Sequence, residues 1–135
     1  MNYECVIIVI LLVMVFIALY KSYNGYKYVK TEMYFGRNMT DGTSVSHEEF
    51  NKFLNEIITP LFPMGLTVHD VNGQMFDGKQ IEKELSFVVV IVHEPTVDYN
   101  KKVDKAIDSY KTHFKTTQVM QTRYVIDANF HHRFM

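Results

Sequence analysis

Cysteine is nearly missing from this chain: among 135 residues there is one, Cys5. A disulfide within the chain is therefore impossible, which removes the bridged secreted frameworks and agrees weakly with a reducing compartment. Neither sign of charge is in excess, since 14 Lys and Arg stand against 15 Asp and Glu for a net charge of −1. That balance does not suggest a nucleic-acid partner. No glycine-rich phosphate loop precedes a helix. Ser44, Ser46, Ser86 and Ser109 lack the setting of a nucleophile elbow. The Lys/Arg-Gly-aromatic run of an RNA-binding sheet is also missing. Paired carboxylates do not stand out, and there is no internal repeat or low-complexity tail.

What is present begins with an apolar run, Cys5 to Tyr20, that holds no charge, no Gly and no Pro. As a helix it spans ~24 Å, and with Met1 to Tyr3 it approaches the ~30 Å hydrocarbon core of a bilayer. Tyr3 and Tyr20 fall at the positions of interfacial aromatics. The only charged side chain before the run is Glu4, and no small-residue cleavage site follows it, so a secretory signal peptide fits poorly. A buried core helix would be shorter, or amphipathic rather than apolar all round. Residues 1–20 are therefore expected to anchor the chain in a lipid bilayer. Lys21, Lys27 and Lys30 follow the run and no Lys or Arg precedes it, which places the rest of the chain on the cytoplasmic side. The sequon Asn38-Met-Thr40 would go unused there.

Residues 21–30 read as a juxtamembrane tether, residues 31–128 as one domain and residues 129–135 as a tail. The alternation of Val29, Met33 and Phe35 with Lys30, Glu32 and Tyr34 predicts a strand over 28–36 with one buried face. Ser46 with Glu49 forms a capping box, and Phe50, Phe53, Leu54, Ile57, Ile58 and Leu61 make one helical stripe. Thr59-Pro60 biases the backbone away from helix. Leu66 to Phe76 is a second strand, in which Gly73 suggests a bulge or a close backbone approach. Asp77-Gly78 marks a turn, and Leu85 to His93 is a near-continuous apolar strand. Thr96 or Asp98 caps a second helix whose stripe is Val103, Ala106, Ile107, Tyr110 and Phe114. Thr117 to Ala128 is a last strand, with Met120, Tyr124 and Ile126 set against Gln121 and Arg123.

The fold class is thus α+β: an N-terminal transmembrane helix, then a ferredoxin-like β-α-β-β-α-β domain with a four-stranded antiparallel sheet. Both helices cover one face. The other face, carrying Val88, Val90 and Val92 or their neighbours, needs a cover from a protein partner or a second copy.

Thr31-Glu-Met-Tyr-Phe-Gly36 resembles a Thr-Glu-Leu-Tyr-Phe-Gly signature. Val45-Ser46, Phe53-Leu54, Thr59-Pro60, Phe62-Pro63, Gly65-Leu-Thr-Val68, Asp70, Gly73-Gln74 and a strand ending at His93 follow in order. The pattern is similar to that of an uncharacterised bacterial domain-of-unknown-function family of small exported proteins, from about Thr31 to Ile126. Where that family commonly has Trp, this chain has Phe50 and Met75. The resemblance implies no activity. It implies an extracytoplasmic home, against the side read from Lys21, Lys27 and Lys30, and the local charges carry more weight here.

Catalytic candidates are weak: His69 and His93, on strands expected to pair, would be an acid–base pair. Asp70 points away from His69, because successive strand residues alternate faces. His47 and His113 sit in helical turns with structural roles, and the adjacent pair His131-His132 is too small a set for a metal. No metal, cofactor or nucleic acid is expected. The expected role is a non-enzymatic, single-pass membrane protein that docks its domain onto a larger assembly, for instance as a structural link between membrane and capsid in a virion. Enzyme activity is the lesser expectation. The alternative is a dimeric α+β-barrel-like enzyme or ligand-binding domain with an apolar pocket near His69 and His93.

Overall fold

The computed structural model describes residues 2–23, 27–116 and 119–128. The tail, with His131 and His132, and residues 24–26 of the tether lie outside them. The chain divides into two units, residues 28–126 forming one of them. In the other, helix α1 runs from Tyr3 to Tyr23. Its stretch Tyr3–Tyr20 is long and apolar enough to cross a membrane, and its side chains are unburied. A signal sequence has the same length and composition, so the helix alone does not fix the side or the fate of the segment.

In the larger unit, strand β1 is Lys27–Gly36, β2 is Thr67–Phe76, β3 is Ile81–His93 and β4 is Val119–Asp127. They form a four-stranded sheet in the order β2-β3-β1-β4. β3 is antiparallel to both β1 and β2. The register Thr31↔Ile91, Met33↔Val89 and Phe35↔Phe87 puts all six side chains on one face. That face is dry. Met33, Phe35 and Val89 are fully buried, as are Phe50, Ile58, Ala106 and Tyr110 from the helices above them.

Ser46 caps helix α2 (His47–Phe53) through the reciprocal box with Glu49. The helix does not stop at Thr59-Pro60 as expected. It widens into a π turn over Leu54–Ile58 and ends as α3, Thr59–Leu61. The Thr59 N–H bonds Leu54 O, five residues back. The turn ahead of Pro60 is therefore already off the i−4 pattern that proline disrupts. Helix α4 (Val97–Phe114) is capped by Thr96, not Asp98, and closes on Lys115 in the left-handed region. The core is aromatic: Phe50 stacks on Phe87 with centroids 4.0 Å apart, and Phe35 meets Tyr110 at 4.6 Å. Each such ring contributes ~1.5–3 kcal/mol on leaving water.

Two further departures concern the hairpin of β2 and β3. Gly73 makes neither a bulge nor a close approach. Its register with Glu84 is unbroken, and an added Cβ would meet Glu84 O at an ordinary 3.5 Å. β3 also begins four residues earlier than its apolar run. It pairs with β2 from Ile81 but with β1 only from Ser86. Asn72 to Leu85 therefore form a two-stranded arm beyond the end of β1, closed by a turn in which Asp77 Oδ1 accepts from the Lys79 and Gln80 amides.

Candidate functional site

Alternation along β1 sends Lys30, Glu32 and Tyr34 to the sheet face away from the helices. There Glu32 accepts from the Tyr34 hydroxyl at 2.9 Å and the Thr122 hydroxyl at 3.2 Å, and pairs with Lys30 Nζ at 2.6 Å. Its side chain is only 14% exposed. The bond from Lys30, then that from Tyr34, holds the carboxyl below its ordinary range against the opposing effect of burial. The same bond, with burial, pushes the Tyr34 phenol up, so Tyr34 stays a donor. Lys30 Nζ also lies 6.0 Å from the centroid of the Tyr124 ring. The ammonium thus sits between a carboxylate and an aromatic face, two groups that each attract a cation.

Beside this network is a hollow of about 430 Å³ lined by Glu32, Tyr34, His69, Val88 and Val90, among others. A larger hollow, about 640 Å³, runs along Lys101, Asp104, Lys105, Asp108 and His113. It is walled by the outer face of α4 alone, where cations and carboxylates alternate, and no chemistry converges there.

His69 and His93 do not form a pair. β2 and β3 do pair, but His69 lies opposite Val88, on the face of the hollow. His93 shares the helix face with Phe87, Val89 and Ile91, and is 3% exposed. Its Nε2 is 2.9 Å from Thr31 Oγ1, its Nδ1 is 2.7 Å from Glu94 O, and its ring stacks on Tyr99. A carbonyl only accepts, so Nδ1 carries the hydrogen and Nε2 takes the Thr31 hydroxyl. All its polar atoms are used, which makes it a core histidine. No apolar pocket joins the two histidines, as the alternative reading expected: the helix side of the sheet around His93 is filled by core side chains, and the hollow beside His69 lies on the opposite face.

Two groupings escaped the sequence. Glu32 and Tyr34 share a face by alternation, which was legible but read as the wet side of a strand; that His69 joins them rests on the registers Tyr34↔Val88 and His69↔Val88. His47 Nε2 meets Asp70 Oδ2 at 2.6 Å, with the His47 ring edge-on to Phe87. Both partners are more than half exposed, and no short-range signal links positions 23 apart. Among the described residues no three His, Cys, Asp or Glu side chains gather as a metal site.

Residues 30–130 match the family described as Protein of unknown function (DUF3574). The chain belongs to this family. No curated protein matches the DUF3574 chain significantly. Among solved structures it is similar to a phage SAM lyase in its apo state, with a TM-score of 0.54 and 16% identity over 81% of this chain and 96% of that one. A phage SAM lyase in complex with S-methyl-5'-thioadenosine aligns with a TM-score of 0.47 and 15% identity over 81% and 95% of the two chains. The first likeness corrects the expected role. The fold is one that an enzyme uses, and a non-enzymatic structural protein or virion component has no support.

Proposed function

We propose that this DUF3574 chain is an enzyme-like small-molecule domain of ferredoxin-like β-α-β-β-α-β connectivity that receives an organic cation on the sheet face over Glu32. One observation carries the reading. A nearly enclosed carboxylate and an aromatic ring flank a position that the chain fills with its own ammonium, Lys30. A carboxylate partly withdrawn from water is stabilised by a paired cation, so the position suits a positive charge. Lys30 is 39% exposed and can swing out when a ligand brings that charge. The SAM named for the phage lyase is a sulfonium cation, and that class suits the site. Tyr34 orients the carboxylate. His69, which lines the same hollow, offers a ring nitrogen for general acid–base chemistry. The support for the connectivity is the strand order β2-β3-β1-β4.

In this reading residues 1–20 anchor the chain in a bilayer and residues 129–135 are the tail; the tether expected over 21–30 shortens to 21–26, because β1 begins at Lys27, and the domain runs from there to residue 128. Lys21, Lys27 and Lys30, all placed after the span, favour the cytoplasmic side.

Calorimetric titration with SAM and with S-adenosylhomocysteine, which differs in having a neutral thioether in place of the sulfonium, tests the site. SAM should bind at least ~10-fold tighter, a difference of about 1.4 kcal/mol. Glu32→Gln should abolish that preference and Lys30→Met should strengthen SAM binding. Equal affinities, or a Lys30→Met change that weakens binding, would sink the cation site. Chromatography of the incubated ligand then separates turnover from binding alone.

A further inference from the structure

The side of the arm that continues the helix-covered face is left bare. Asp70 lies opposite Phe87, Asn72 opposite Leu85 and Phe76 opposite Ile81, so these side chains carry the face of Met33 and Val89 past the end of β1. Phe87 is buried, but Leu85, Ile81 and Phe76 are 46%, 64% and 68% exposed. A two-stranded ribbon is marginal by itself in water, and an apolar surface left open in one place is a mark of binding.

Polar groups converge where this bare side meets the core. The Arg37 guanidinium stands 4.8 Å from the centroid of the Phe87 ring, and the His47 ring meets the same ring edge-on at 5.3 Å. Arg37 gives one donor, Nε, to Val45 O at 2.7 Å. No ion pair among the described residues includes it. Its terminal nitrogens are a planar fork of donors, the geometry that suits a carboxylate or phosphate. Asp70 and Glu49 are already engaged, by His47 and by Ser46. A carboxylate only accepts, so the hydrogen in the 2.6 Å contact between His47 and Asp70 Oδ2 sits on Nε2. That leaves Nδ1, which has no partner among the described residues, to meet an oxygen of a ligand.

We propose that this corner is a second ligand site, on the opposite face from the one over Glu32 and independent of it. It takes an organic anion: a carboxylate or phosphate monoester head between Arg37 and His47, and an apolar body lying along Leu85 toward Ile81. Charge selects this occupant. Lys83 alternates to the bare side between Leu85 and Ile81, while Glu82 and Glu84 alternate away from it. A cationic ligand would meet Arg37 and Lys83 with like charge, and an uncharged one would leave the guanidinium unmatched. Leu85 is two residues from Phe87, ~7 Å along the strand, so a head held at the ring sets an aryl or short alkyl body on it.

Titration of the full chain in neutral detergent, followed by calorimetry and by nitrogen–proton NMR, tests the site. The probes are phenyl phosphate and phenylacetate, which have head and body, inorganic phosphate, which lacks the body, and benzyl alcohol, which lacks the charge. At least one of the first two should bind ~10-fold or more tightly than either control, and which one does so names the head group. Shift changes should fall on Arg37, Leu85 and Nδ1 of His47. Arg37→Gln should weaken binding ~10-fold, with the methyl signals of Met33 and Val89 showing an intact core. Leu85→Ser, at an exposed position, should lower the affinity toward that of inorganic phosphate, and it keeps the test decisive if Arg37→Gln does not fold. The proposal fails if neither two-part anion outbinds the controls, or if the folded variants bind as the wild type does. Shift changes confined to Lys30 and Tyr34 would put the anion on the other face and overturn it as well. Failure here leaves SAM binding at Glu32 untouched, and loss of SAM binding leaves this corner standing.

Discussion

The Thr31 hydroxyl meets Nε2 of His93 at 2.9 Å inside the domain, joining the two central strands by a bond between side chains 62 positions apart. His93→Ala removes that bond, the bond to Glu94 O and the stack on Tyr99. It should cost about 2–4 kcal/mol in chemical unfolding. His69→Ala should change stability by less than ~0.5 kcal/mol and alter only events at the hollow. Equal stability losses from the two changes would refute this division of roles.

Acid should weaken the domain through Glu32. Its carboxyl is held below the ordinary value of 4.5, first by Lys30 and then by Tyr34, so the folded chain binds this proton more weakly than the unfolded chain does. The stabilisation is complete above the unfolded value and is lost as pH falls through the lowered folded one. Asp41, Glu49 and Asp77 act with the same sign through bonds to nearby backbone and hydroxyl groups. The difference between wild type and Glu32→Gln isolates the Glu32 part. In urea unfolding from about pH 3 to 6, that difference should grow with pH. A constant difference would mean that Glu32 contributes no charge-dependent stability.

Alkali should act through Tyr110. Burial raises its phenol far above the ordinary 10.0, Glu84 adds to the rise and Arg37 opposes it. A raised folded pKa makes the contribution full below the unfolded value and lost as pH climbs through the folded one. Ultraviolet titration should show this phenol ionising only when the domain unfolds. Tyr110→Phe also removes the hydroxyl that donates to Gly36 O at 2.9 Å, at a cost of about 1–2 kcal/mol. A Tyr110→Phe domain as stable as the wild type would show that this bond contributes nothing.

The box at the start of α2 gives the simplest check. The Ser46 amide donates to Glu49 Oε2 at 2.8 Å, and Ser46 Oγ accepts from the Glu49 amide at 3.2 Å. Ser46→Ala should lower stability by about 1 kcal/mol, and Ser46→Asp should restore most of it. Failure of the aspartate to rescue would point to a loss other than the cap.

Short-range pattern explains which parts of this domain could be read in advance. The stripes Phe50-Phe53-Leu54 and Val103-Ala106-Tyr110-Phe114 are spaced by the helix itself, and all seven residues are buried. The strand 28–36 shows its buried half by alternation. Facing is different. Nothing local says that His69 and His93 end on opposite sides, because that depends on the register His69↔Val88. Nor does apolar character mark the arm, since Glu82, Lys83 and Glu84 dilute it. The Pro60 signal, read as turning the backbone away from helix, misled: Thr59–Leu61 stay helical, and the departure from the α pattern is the π turn before them.

The strand order also bears on synthesis. β1, the first strand made, is flanked by β3 on one side and by β4, the last, on the other. Four core residues of α4, Val103, Ala106, Tyr110 and Phe114, emerge late as well. A nascent chain that has produced everything up to α3 therefore holds a bare strand edge and an uncovered aromatic surface, the combination that invites pairing with neighbouring chains. A ribosome stalled before Val119 leaves the edge of β1 unprotected, so the domain closes only when its last strand is released.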